Sequence, residues 1–185
     1  MKQHHPDVAY LYQCFDHNEV DGTLTWKVRP QEHFKNARSC SAWNARFSGK
    51  RAGGPNNGYM RVEINKKPIG CHSVIWAMTH GCYPSGMIDH INGDRSDNRL
   101  INLRVTDYDG NAKNQRVPRN NKSGAIGVHW NIQIDKWMAS IRVSNKLIHL
   151  GCFDDIDDAV SARKKAEVEY GFHPNHGRNF SNEVA

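Results

Sequence analysis

Between Met87 and Asn114 the chain reads MIDHINGDRSDNRLINLRVTDYDGNAKN, and no other stretch limits its folding as much. Ile88-Asp89-His90 closes a short predicted strand. Residues 91–101 are so rich in Asn, Asp and Arg that they form a long polar loop. Leu103 to Val105 makes a second short strand. Thr106-Asp107-Tyr108-Asp109 then resembles a capping box, with Thr106 as N-cap and a carboxylate three residues on. The helix it opens is expected from about Asp107 to Arg116, with Asn111 in its second turn. The stretch therefore encodes strand, loop, strand and helix, units too short to bury a core alone.

The flanks supply more of the same small pieces. Val8, Leu11, Tyr12 and Phe15 fall at helical spacing within 7–15. Asp21-Gly22 marks a turn before a strand over 24–28. Residues 29–50 read as polar, basic and irregular, with Trp43 and Phe47 as anchors. Tyr59, Arg61 and Glu63 alternate with Met60, Val62 and Ile64 as in a strand, and Asn65-Lys66-Lys67 turns the chain back. His72 to His80 reads as a helix stopped by Gly81.

Composition excludes several classes. Hydrophobic residues make up 38% and charged residues 24% of the 185, as in a polar globular chain of one ordinary or two small domains. No apolar run approaches the roughly 18 residues of a membrane helix. The N-terminus lacks a signal-peptide core, so the expected location is the cytoplasm, with no membrane partner. The five cysteines, at 14, 40, 71, 82 and 152, form no C-x-x-C pair. That argues against a disulfide framework and against structural zinc.

The net charge of +6 (25 basic minus 19 acidic) favours a nucleic-acid partner. Residues 121–153 carry 4 basic and 1 acidic residue, whereas 154–185 carry 4 basic and 7 acidic. Pro118 and the polar stretch around it mark a linker at 119–122, between a domain over 1–118 and another over 123–185.

The spacing of Asp89-His90, Asn102-Leu103 and Asn111 resembles that of the HNH endonucleases, whose core is a ββα-metal fold. GYMRVEIN, HSVIWAMTHG and IDHINGDRSDNRLINLR look like phage-type members. The final family position is His in many members and Asn in others; here it is Asn111. The resemblance implies a divalent metal, Mg²⁺ or Mn²⁺, held by Asp89 and Asn111. His90 would serve as general base, with a pKa suited to neutral pH. Asn102 would bond across the long loop to hold His90. His72 would contact a phosphate or be buried with a hydrogen bond, while Arg95, Arg99 and Arg104 crowd the same loop as candidate phosphate contacts.

Beyond the linker, three strands are expected at 128–131, 136–143 and 147–153, with a helix capped by Asp155 and ended by Gly171. Trp137, Ala139, Ile141 and Val143 alternate with Lys136, Met138, Ser140 and Arg142. The apolar set should meet the helix, leaving a basic open face. GVHW, KWMASIRV, HLGCFDD and the alanine-bearing helix resemble the plant ethylene-response-factor (Apetala-type) DNA-binding domain. That resemblance implies His129, Asn131, Ser140, Arg142 and His149 as DNA contacts.

The expected fold class is thus α+β: a ββα-metal HNH nuclease domain, followed by a small three-stranded antiparallel sheet packed on one helix. The expected function is a metal-dependent endonuclease acting at a specific site in double-stranded DNA, as a phage homing enzyme, monomeric or homodimeric. Two alternatives stay open: a non-catalytic DNA-binding regulator with a decayed nuclease core, and a phage nuclease for packaging or host-DNA degradation.

Overall fold

The computed structural model describes residues 5–178 and, of Tyr108 and Asp109, the backbone alone. The chain divides into two compact units, Met1–Val105 and Thr106–Ala185. The described residues form a mixture of helices and small sheets, none with more than three strands.

The first unit opens with helix α1 (Val8–Cys14), whose N-cap Asp7 accepts a hydrogen bond from the Ala9 N–H. Strands β1 (Phe15–Asn18), β2 (Thr23–Trp26) and β3 (Arg51–Ala52) form one antiparallel sheet. Strands β4 (Gly54–Asn56), β5 (Tyr59–Ile64) and β6 (Lys67–Gly70) form a second. Asn65 and Lys66 both adopt positive φ in the tight turn between β5 and β6. Helix α3 (Cys71–His80) buries Cys71, Val74, Ile75, Ala77 and Met78 and ends at Gly81 with φ 72°. These side chains join Leu11, Phe15, Leu24, Val62 and Ile64 in the unit's core.

Residues 29–50 are more regular than the sequence suggests. Helix α2 (Ala37–Phe47) occupies their centre, capped by Asn36, whose side chain accepts from the Ser39 N–H. No α2 residue is fully buried, although Cys40, Trp43 and Phe47 fall at helical spacing. Its anchors are Trp43 and Phe47, four residues apart, with Trp43 edge-on to Trp26 at 4.8 Å between centroids. Arg29, 6% exposed, lies within 5.8 Å of the ring centroids of Tyr10, Trp26, Phe34 and Trp43.

Strands β7 (Met87–His90) and β8 (Leu103–Thr106) pair in a two-stranded sheet across the polar loop. Helix α4 follows, but spans Tyr108–Ala112 instead of continuing to Arg116. Its cap also differs: Asp107 Oδ1 accepts the Gly110 N–H at 2.8 Å. The Asp109 side chain, expected to complete the cap, lies outside the described residues. The helix stops because the next backbone groups are engaged elsewhere. Lys113 and Gln115 carbonyls accept from His173 and Gly177, and Val117 N–H donates to the Arg178 carbonyl. Arg178 Nη1 also donates to the Asn114 side-chain oxygen at 2.9 Å.

The rest of the second unit is an antiparallel sheet in the order β11-β10-β9, with β9 at Val128–Asn131, β10 at Lys136–Val143 and β11 at Lys146–Phe153. Helix α5 (Ile156–Glu169) packs on it, capped by Asp155. Ala139 and Ala159 are fully buried where sheet and helix meet. Buried Arg163 donates to the Ser140 carbonyl at 2.7 Å and to Glu167 at 3.0 Å, and lies 3.2 Å from His176 Nε2.

Candidate active site

Asp89 and His90 end β7 and are 8% and 4% exposed. Alternation sends neighbouring strand side chains to opposite faces, so the two present different chemistry from adjacent positions. Arg104, on the paired strand, donates through Nη2 and Nε to Asp89 Oδ2 at 2.7 and 3.0 Å. His90 Nε2 lies 3.1 Å from Asn98 Oδ1. Asn98 is 2% exposed despite standing in the polar loop.

The loop's shape comes from side-chain bonds to its backbone. Asn102 Oδ1 accepts the Asn92 N–H at 2.9 Å, and Asn102 Nδ2 donates to the Asp97 carbonyl at 2.8 Å. The Asn102 carbonyl accepts from Ile91 N–H. One buried asparagine thus ties both ends of the loop together. Asp97 accepts from Arg99 Nε and Nη2 and from Asn92 Nδ2. The Arg99 fork is the main reason its carboxyl is held below the usual carboxylate range. A distant turn braces the loop as well: Leu100 N–H donates to the Glu19 carbonyl at 2.9 Å. Gly22, with φ 66°, presses so closely on it that a Cβ there would stand 2.3 Å from Arg99 N.

His72, on the first turn of α3, stands edge-on to His90 with 5.3 Å between ring centroids. Its Nδ1 is buried without a hydrogen-bond partner. Burial, with His90 and Arg61 nearby, pushes its pKa down to about 4, so the ring is neutral at neutral pH. A Cβ at residue 70 would meet that ring at 2.5 Å, so Gly70 makes its room. Tyr59 faces both histidines at 5.8 and 6.0 Å, and exposed Arg95 covers the Tyr59 ring at 4.9 Å.

Among the candidates, Asp89, His90, Asn102, Arg104, His72, Arg95 and Arg99 all belong to the first unit. Asn111 lies on α4 in the second. Asn98 and Tyr59 were missed. Asn98 is one asparagine among several in a polar run, and its burial has no sequence signature. Tyr59 alternates like any strand residue.

Asp89 and Asn111 offer oxygen atoms, the donor type a hard divalent cation takes, with water and phosphate completing its shell. The fit is supported at Asp89, where the fold already sets a cationic guanidinium against the carboxylate. Among the described residues, no group of three or more His, Cys, Asp or Glu is arranged to hold a metal.

In the second unit, cross-strand register aligns Asn131 with Lys136, His129 with Met138, Ser140 with His149, and Arg142 with Leu147. Opposed residues share a face, so His129, Asn131, Ser140, Arg142 and His149 all lie on the face of β10 opposite Ala139 and Ile141. A bulge decides this for His149. Ala139 pairs Gly151 but Ser140 pairs His149, leaving Leu150 as the extra residue. Without it, alternation from Phe153 would turn residue 149 toward the helix. Lys136 on this face is paired with Asp154 at 2.8 Å.

Residues 70–117, about a quarter of the chain, match the model of a family described as HNH endonuclease. A 76-residue stretch is 32% identical to Protein 3.8 of Escherichia phage T7, covering 40% of this chain and 63% of that protein. No solved structure matches. Among the described residues, no helix is long and apolar enough to cross a membrane. The HNH endonuclease match covers the segment that carries Asp89, His90, Asn98, Asn102, Arg104 and Asn111.

Proposed function

We propose that the chain is a metal-dependent HNH endonuclease that hydrolyses phosphodiester bonds at a specific site in double-stranded DNA, in the manner of a phage homing enzyme. Cutting is assigned to residues up to 118, and DNA reading to 123–185 after the linker 119–122. The observation that carries the reading is the buried Asp89-His90 pair, whose two side chains are separately wired, His90 to Asn98 and Asp89 to Arg104.

His90 takes the proton from the attacking water. The Asn98 side-chain oxygen facing Nε2 favours the tautomer that carries its proton there. Asn102 fixes the loop that supplies Asn98. Asp89 and Asn111 would hold a divalent cation, Mg²⁺ or Mn²⁺. When bound, the cation supplies Lewis-acid stabilisation of charge on the phosphate and on the leaving 3′ oxygen. Neutral His72 lies beside His90, and cationic Arg95 lies over Tyr59, where both are assigned to meet the phosphate. The open face with His129, Asn131, Ser140, Arg142 and His149 suits a sheet entering the major groove, backed by a helix whose first turn is acidic.

The test is incubation of the protein and of His90→Ala with supercoiled phage DNA, with Mg²⁺ and with EDTA. Expected is Mg²⁺-dependent nicking or linearisation that falls by about 10²–10⁴ in the variant while DNA binding persists. Full activity in the variant removes His90 from the mechanism. DNA binding without cleavage by either protein points to the regulator with a decayed core. Mapped ends at one or a few sites fit homing; many sites fit host-DNA degradation.

A further inference from the structure

The carboxylate assigned above to a metal already carries a cation. Arg104 Nη2 and Nε both donate to a single oxygen, Asp89 Oδ2, at 2.7 and 3.0 Å. A guanidinium fork commonly spans both oxygens of a carboxylate; here both donors converge on one. The partners also differ in freedom. The Asp89 side chain is 9% exposed and fixed at a strand end, whereas the Arg104 side chain is 36% exposed. Arg104 is the more solvent-exposed of the two partners. A divalent cation and a guanidinium on one buried carboxylate repel each other strongly at such distances.

We infer that Arg104 is a built-in counter-ion that exchanges with the metal. In the metal-free protein it neutralises Asp89. When a cation binds Asp89 the guanidinium leaves, and its charge becomes available to a DNA phosphate. Metal entry and DNA affinity are thereby coupled through one side chain. This rests on the assignment of Asp89 as a metal ligand. A purely structural ion pair predicts the opposite sign: losing Arg104 would misplace Asp89 and weaken metal binding.

The experiment is Mn²⁺ titration of the full chain, followed by electron paramagnetic resonance without DNA. The proteins are the wild type, Arg104→Leu, Arg104→Lys and Asp89→Asn, with folding checked by circular dichroism. Arg104→Leu is expected to bind Mn²⁺ on the order of tenfold tighter. Arg104→Lys, which keeps the charge, should stay near wild type, and Asp89→Asn should lose binding. If Arg104→Leu does not fold, Arg104→Gln carries the same expectation. Loss in Asp89→Asn without tightening in the neutral Arg104 variants overturns the exchange and leaves Asp89 a ligand. Unchanged binding in Asp89→Asn overturns both.

Discussion

Asn98 is the residue on which the site geometry turns most sharply. Its amide is buried and set against His90 Nε2, so its effect on chemistry passes through the imidazole. Asn98→Ala should lower kcat about 10–100-fold, as loss of an orienting partner does, with KM for DNA little changed. Asn98→Asp keeps an acceptor but adds a negative charge that stabilises the imidazolium. The acidic limb of its pH–rate profile should therefore move to higher pH; an unmoved limb would mean that the contact is only structural. Asp89, His90, Asn102 and Asn111 could be named as candidates from sequence because their spacing is a pattern. Asn98 could not, because what distinguishes it is burial, and burial of a loop asparagine depends on the Glu19–Gly22 turn about eighty residues away.

Among the elements, β11 shows how a single extra residue redirects a surface. Its strand character was plain from LIHLGCF, and so was the alternation of β10. The face of His149 was not, since the bulge at Leu150 resets the alternation. The bulge depends on Gly151, which adopts φ 137° and lies so near Phe153 that a Cβ would meet its ring at 2.9 Å. Gly151→Ala should cost on the order of 1–3 kcal/mol, read as a lower urea midpoint for the second unit. It should also weaken DNA binding, by disturbing the face that carries Ser140 and His149. Helix α2 escaped sequence reading for a different reason. Its apolar positions Cys40, Trp43 and Phe47 do fall at helical spacing, but they are set among polar and basic residues and none is fully buried, so the stripe is easily passed over. The short α4 reflects competition, as residues 113–117 exchange backbone bonds with residues 173–178.

At the scale of the whole molecule, each unit carries a histidine kept neutral, His72 half-buried in the first and His176 buried in the second. Burial is the main cause of the His176 pKa falling to about 4, with Arg163 and Lys164 lowering it and Glu167 opposing them. An unfolded chain restores the ordinary value of 6.5. Between those values the unfolded state binds a proton that the folded state refuses, so stability rises with pH across that window. Stability of the second unit should be full above pH 6.5 and fall as pH drops toward 4. In His176→Gln the slope of urea midpoint against pH should flatten; an unchanged slope would assign it to other groups. The charge division read from sequence has a structural counterpart: the basic strands bear the open face, and the acidic first turn belongs to α5.

The contact of Gly22 and Glu19 with the loop carries a consequence for engineering. The familiar segment from Gly70 to Val117 looks like a portable cassette, ready to be moved between scaffolds. Its imidazole is aimed by an asparagine that leans on a turn encoded long before the cassette begins. A graft of the cassette alone would keep every signature residue and lose the buttress. Chimeras made at this boundary should therefore include residues 15–26, and shuffling libraries should treat the two segments as one inherited piece.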